Sequence, residues 1–324
     1  MAATAESKLA YPDFPSELHA PTPEICILPN GVKALQTHDV AKVAGANVHY
    51  TITAPLTTTE QGHVLFVPGL GGTEVTSMPF AAEMVKNDYS VTTFDPPRHQ
   101  KILGLFPPAT THPERLLSQS VYQIACDLAE KYGTESLWLY GHSMGGPAVV
   151  SAAEYIVKRH PKFLAGVAVM GSAGATGHTI VDLAPRAALV VTQELIPNWD
   201  LLCKNLEGYT NDAELVLKSI VYALHNPLRS IGETWAVTRA DIRPGLERLD
   251  RLGIETAGIF FYKDLFFNCE QAEKYIGKIV SRFQVIMDPE IIGHLGPQLY
   301  PIETARSHAH NPRPSTPQPA VAAA

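Results

Sequence analysis

Six short, mostly apolar runs punctuate the chain. They lie at 64–67 (VLFV), 90–94 (SVTTF), 136–140 (SLWLY), 163–170, 258–262 (GIFFY) and 283–287 (FQVIM). Several end in turn residues: Pro68-Gly69, Asp95-Pro96-Pro97 and Gly141. Continuous apolar runs of this length suit strands buried on both faces, as in a parallel sheet. Helical patterns separate them, at 79–86, 114–131, 148–159 and 270–280. The clearest carries Leu116, Leu117, Val121, Ile124 and Leu128 at helical spacing. Thr111 and Glu114 suit a capping box at its start, with Pro113 in the first turn. Alternating strands and helices predict an α/β architecture with right-handed crossovers.

Residues 176–241 break the alternation. Helical patterns at 187–195 and 213–224 stand there without clear strands. The expectation is a helical cap inserted between two halves of one core, 31–175 and 242–305; two extra core helices are the alternative. Residues 1–30 are Pro-rich and expected to wrap over a surface. The tail 306–324 has four prolines and an Ala-rich end, a composition that predicts disorder.

Composition narrows the class. Of 324 residues, 45% are apolar and 18% charged, which excludes a disordered chain. The net charge of −7 and the lack of a strongly basic stretch argue against a nucleic-acid partner. The four cysteines, Cys26, Cys126, Cys203 and Cys269, are far apart and form no CxxC pair. That spacing argues against a zinc or redox motif and suits free buried thiols. Residues 1–20 hold no apolar core of a secretory signal, so a cytoplasmic location is expected. No apolar stretch is long enough to span a bilayer.

The sharpest chemical signal is Gly141-His142-Ser143-Met144-Gly145-Gly146, between a strand and a helix. A Ser on so tight a turn is lifted clear of the sheet, in a strained backbone conformation. Side chains two before and two after it would collide, and both positions are glycine. The Ser also sits at a helix N-terminus, where developing negative charge is favoured. This pattern points to a nucleophile. A second signal is Val67-Pro68-Gly69-Leu70-Gly71-Gly72-Thr73, a glycine-rich turn able to aim N–H groups at an oxyanion. It is no phosphate loop: Glu74 stands where GxGxxG needs a third glycine, and no GK[ST] follows.

With these motifs and a late histidine, the chain resembles the α/β-hydrolase superfamily over roughly residues 62–302. The resemblance implies a mostly parallel sheet flanked by helices, with the helical insertion where that family carries its lid. It implies the chain order Ser, acid, His, with Ser143 as nucleophile. His294, in Ile292-Gly293-His294-Leu295-Gly296 after the last strand pattern, fits the base best. His178 and His225 are runners-up inside the insertion, and His142 is expected to pack or hydrogen-bond locally. Asp264, two residues after the fifth strand pattern and 30 before His294, is the leading acid; Asp288 is its rival. The N–H groups of Leu70 and Met144 would form the oxyanion hole. Such chemistry requires no metal and no organic cofactor. A serine nucleophile disfavours the relatives that need Asp there, the epoxide hydrolases and haloalkane dehalogenases. The expected activity is hydrolysis of carboxylic esters with hydrophobic acyl groups. Carbon–carbon bond hydrolases, thioesterases and cofactor-free perhydrolases share the elbow. A catalytically silent ligand binder is the alternative from another class.

Overall fold

The computed structural model describes residues 20–56, 61–69, 72–97, 113–177, 180–209, 227–287 and 293–309. The described strands are β1 (Glu24–Ile27), β2 (Lys33–Val43), β3 (Ala46–Pro55), β4 (Gly62–Val67), β5 (Tyr89–Phe94), β6 (Leu137–His142), β7 (Leu164–Met170), β8 (Glu255–Phe261) and β9 (Arg282–Ile286). They form one sheet in the order β1-β2-β3-β5-β4-β6-β7-β8-β9. From β5 to β9 all neighbours are parallel, and β1, β2 and β3 join antiparallel. The six apolar runs are β4 to β9. Mostly parallel strands flanked by helices are the architecture expected from the sequence.

The strand order contains a topological switch point. From β4 the chain passes through helix α1 (Glu74–Lys86) to β5 on one side. It then passes through α2 (Pro113–Glu130) to β6 on the other. The topology therefore reverses between β4 and β6, and in open α/β sheets ligands bind at the carboxyl ends of strands at such a reversal.

Alternation within the buried strands feeds two cores. Val64 and Phe66 pack on one face with Phe80 and Met84 of α1. Leu65 and Val67 pack on the other with Leu117 and Val121 of α2, and with Val149 and Ala153 of α3 (Gly145–Arg159). Helix α1 starts earlier than its apolar pattern because Thr73 caps it. Thr73 Oγ1 accepts the Thr76 N–H, and Thr76 Oγ1 accepts the Thr73 N–H in return.

Among the described residues, three strands precede the predicted ones. The β2–β3 hairpin closes on Ala44 and Gly45, both at positive φ (50° and 81°), the geometry that matches strand twist. Strand β1 lies within the segment expected to wrap a surface. It forms the sheet edge instead, with Ile25 and Ile27 exposed. Between β7 and β8 the described residues are helical. They form α4 (Ile180–Leu189), a π-helical turn (Val190–Leu195), α5 (Trp199–Leu206), α6 (Pro227–Arg239) and α7 (Arg243–Arg251). The helical pattern at 213–224 lies outside the described residues, as does Thr111. After β8 come α8 (Cys269–Ile276), then the short α9 (Gly296–Leu299) and α10 (Pro301–Ala309). Helix α10 thus continues past Arg306, where composition predicts disorder; residues 310–324 lie outside the described part. The four cysteines are free, Cys126 and Cys269 buried, Cys26 half-buried and Cys203 exposed. Among the described residues, no helix is long and apolar enough to cross a membrane.

Candidate active site

Ser143 joins β6 to α3 with φ 54°, a left-handed conformation that costs a non-glycine residue about 1–3 kcal/mol. Neighbouring backbone holds it there. Its N–H donates to the Met170 carbonyl (3.0 Å), and its carbonyl accepts the N–H groups of Gly146 (3.1 Å) and Ala173 (3.0 Å). The flanking glycines are required by contact. A Cβ on Gly141 would lie 2.5 Å from the Gly145 carbonyl oxygen, and one on Gly145 would lie 2.3 Å from that of Val67. The collision expected from the spacing is therefore backbone against side chain across the turn. Met144 follows in right-handed helical conformation as the N-cap of α3. Leu70, the other expected oxyanion donor, lies outside the described residues.

Three side chains far apart in sequence meet at this rim. Ser143 Oγ is 2.9 Å from His294 Nε2, and His294 Nδ1 is 3.1 Å from Asp264 Oδ2. All three residues are buried, at 6%, 7% and 6% exposure. Asp264 follows β8, and its other oxygen, Oδ1, accepts the N–H groups of Phe266 (2.7 Å) and Phe267 (2.8 Å). The carboxylate is thus oriented before it meets the imidazole. The ring of His294 also packs on those of Phe266 and Phe267, at 5.0 and 5.3 Å between centroids. Asp288, the rival acid, and His178 and His225, the rival bases, lie outside the described residues.

The electrostatics separate two neighbouring imidazoles. Burial opposes charge on His294, but the Asp264 carboxylate, its hydrogen bond and the more distant Glu194 outweigh it. The pKa of His294 is raised above the usual histidine value. Burial first, and the neighbouring His294 second, push His142 down to about 3. His142 does not bond to its own turn. Its Nε2–H donates to the carbonyl of His294 (2.8 Å), 152 positions away, and the rings lie 4.9 Å apart. Both cross-links to the His294 loop escape sequence reasoning, because they join elements with no shared local pattern.

The second cross-link is Glu194, in the π-helical turn, with 0% exposure. Its Oε2 accepts the backbone N–H of His294 (2.7 Å) and of Leu295 (3.3 Å). Burial raises this carboxyl to about 7. The sequence sets Glu194 beside Val190, Val191 and Leu195, but nothing in that run tells that Glu194 is buried while Val191 is exposed.

Among the described residues, one other cluster offers metal-ligand atoms: Cys126, Glu130 and His160, within 4.8 Å of one another. It sits at the opposite end of α3 from Ser143. Its Glu130 oxygen already accepts from the Arg159 guanidinium (2.9 Å), a cation that opposes a metal there.

Residues 58–220 match the family described as serine aminopeptidase, S33. The chain belongs to that hydrolase family and, with it, to the α/β-hydrolase superfamily. No curated protein matches. Similar solved structures include a bromoperoxidase from Bacillus anthracis (15% identity, TM-score 0.59, covering 85% of this chain and 99% of that one). An esterase from Exiguobacterium antarcticum is similar at 13% identity and TM-score 0.59, covering 84% and 97%. The 2-hydroxy-6-oxo-6-phenylhexa-2,4-dienoate hydrolase of Rhodococcus sp. strain RHA1 is similar at 17% identity and TM-score 0.57, covering 89% and 99%. At these identities the likeness is one of fold.

Proposed function

We propose that the protein is a serine hydrolase of carboxylic esters with hydrophobic acyl groups. The observation that carries this reading is the relay Ser143 Oγ to His294 Nε2 (2.9 Å) and His294 Nδ1 to Asp264 (3.1 Å). Serine at its ordinary pKa is a weak nucleophile and needs such a base. In this mechanism Ser143 Oγ attacks the ester carbonyl carbon as His294 Nε2 takes its proton. Asp264 holds the imidazole tautomer and stabilises the imidazolium. The tetrahedral oxyanion rests on the N–H groups of Met144 and Leu70. The carbon–oxygen bond to the leaving alkoxide then breaks, and His294 returns the proton to that oxygen. Water repeats the sequence on the acyl-enzyme and releases the acid. Residues 176–241 act as the cap in this reading.

The hydrophobic preference rests on an aromatic neighbour of the base and on apolar side chains exposed along the segment that carries Glu194. Phe266, half-buried, stands against His294. Leu189, Val191 and Ile196 stay exposed on the helical segment that carries Glu194. A panel of nitrophenyl esters, acyl thioesters, amino-acid amides, a carbon–carbon hydrolase substrate and a perhydrolysis assay tests the assignment. The expected result is fastest turnover of short-to-medium-chain esters, lost at least about 10³-fold in Ser143→Ala. Preference for another class would reassign the bond. Ester hydrolysis unchanged in Ser143→Ala would overturn the nucleophile. Binding of apolar esters without turnover would make the protein a silent ligand binder.

A further inference from the structure

We propose that Glu194 is a positioning residue that ties the helical segment between β7 and β8 to the base, fixing the His294 loop and setting the charge around its imidazole. The proposal rests on the reading of His294 as base. Its geometry is specific. The turn Val190–Leu195 has one residue more than an α-turn, as shown by the Ile196 N–H donating to the Val191 carbonyl (2.9 Å). Such turns re-aim a side chain and recur at functional sites. Here Glu194 points inward and is fully buried. Its Oε2 accepts two successive N–H groups, those of His294 and Leu295, and Asn198 Nδ2 donates to its own carbonyl (2.7 Å).

The loop is shaped to receive it. Gly293 has φ 91°, and a Cβ there would lie 2.0 Å from the Glu194 carboxylate. The close approach thus requires glycine immediately before the histidine. A buried carboxylate is costly, and two backbone donors offset only part of that cost. Among the described residues its Oε1 has no hydrogen-bond partner. A neutral acceptor could hold the loop at lower cost, which directs attention to the charge. The ionisable groups that bear on Glu194 are His294 and Asp264. Ionised above about pH 7, its charge adds to that of Asp264 in favouring the imidazolium formed during attack. The loop is held from two sides, by Glu194 through backbone N–H groups and by His142 through the His294 carbonyl.

The test compares wild type, Glu194→Gln, Glu194→Ala and Gly293→Ala, by steady-state kinetics on a nitrophenyl ester and by side-chain nitrogen NMR of His294 against pH. In Glu194→Gln an oxygen acceptor remains and the charge is gone. Its His294 titration should move down by on the order of one pH unit, with partial retention of kcat. Glu194→Ala and Gly293→Ala should lose roughly 10²-fold in kcat with KM little changed, because a displaced base slows chemistry more than binding. An unchanged His294 titration and unchanged kcat in Glu194→Gln and Glu194→Ala would overturn the proposal. A fall in kcat with no movement of the titration in Glu194→Gln would overturn the charge role. If wild type shows no Ser143-dependent turnover, the nucleophile reading fails separately, and the His294 titration still decides the role of Glu194.

Discussion

Ser143 concentrates the local physics of the site. A non-glycine residue at φ 54° persists only where its surroundings over-determine it, and three backbone hydrogen bonds do so here. Crowding of that turn leads to a definite expectation for Gly145. A methyl group 2.3 Å from the Val67 carbonyl oxygen must push β4 and the elbow apart. Gly145→Ala should destabilise the protein by about 1–3 kcal/mol, and lower the melting temperature by several degrees in a thermal unfolding scan. A melting temperature within a degree of wild type would show that the elbow has room. The glycine spacing around Ser143 was legible because the constraint is local, acting within five residues. Glu194 and His142 were not, because their partners lie 100 and 152 positions away.

At the scale of elements, the buried strands announced themselves. Strands β4 to β8 are apolar runs because both faces are covered, β9 at the sheet edge is only partly buried, and each apolar run falls on one of these six. The first three strands are different. Strand β2 alternates irregularly, with Gln36, His38 and Lys42 among its apolar positions, and its hairpin turns on Ala44-Gly45 rather than Asn-Gly. Strand β1 keeps Ile25 and Ile27 exposed, so hydrophobic patterning does not explain it. It forms because the β2 edge offers backbone groups to pair. Strand order also lay beyond sequence patterning. The reversal between β4 and β6 is a property of the assembled sheet, and it brings the elbow beside the loop after β4.

Across the whole molecule, buried ionisable groups oppose one another. Burial holds His63 and His142 down at about 3, against an ordinary value of 6.5. Burial holds Glu74 and Glu194 up at about 7, against 4.5. Between pH 6.5 and 4.5, unfolding lets two histidines take protons and makes two glutamates release them, so the exchanges cancel. Asp127 is raised by burial and differs from its unfolded state above about 3.8, whereas Asp39 differs below it. Burial also raises Asp39, but its bonds to Lys131, Tyr132, Val40 and Tyr50 leave it lowered. Below pH 4.5 the two histidines remain unequal, and below about 3.8 Asp39 and Asp241, both lowered by their hydrogen bonds, act in the same direction. The native state resists protonation of the histidines, and stability should fall by roughly 3 kcal/mol per pH unit toward pH 3. Denaturant unfolding across pH should show a shallow profile above 4.5 and a steep loss below it; a steady decline from 6.5 would contradict the balance. The proposed catalysis draws on the same assembly, since the strand ends and the last loop must all be in register for Ser143 to meet His294. The most direct test treats the intact protein with a fluorophosphonate probe and maps the adduct by mass spectrometry. One adduct on Ser143, formed rapidly in wild type and slowed at least about 10³-fold in His294→Ala, is the predicted result. No adduct on Ser143, or equal labelling with His294 replaced, would contradict an activated serine.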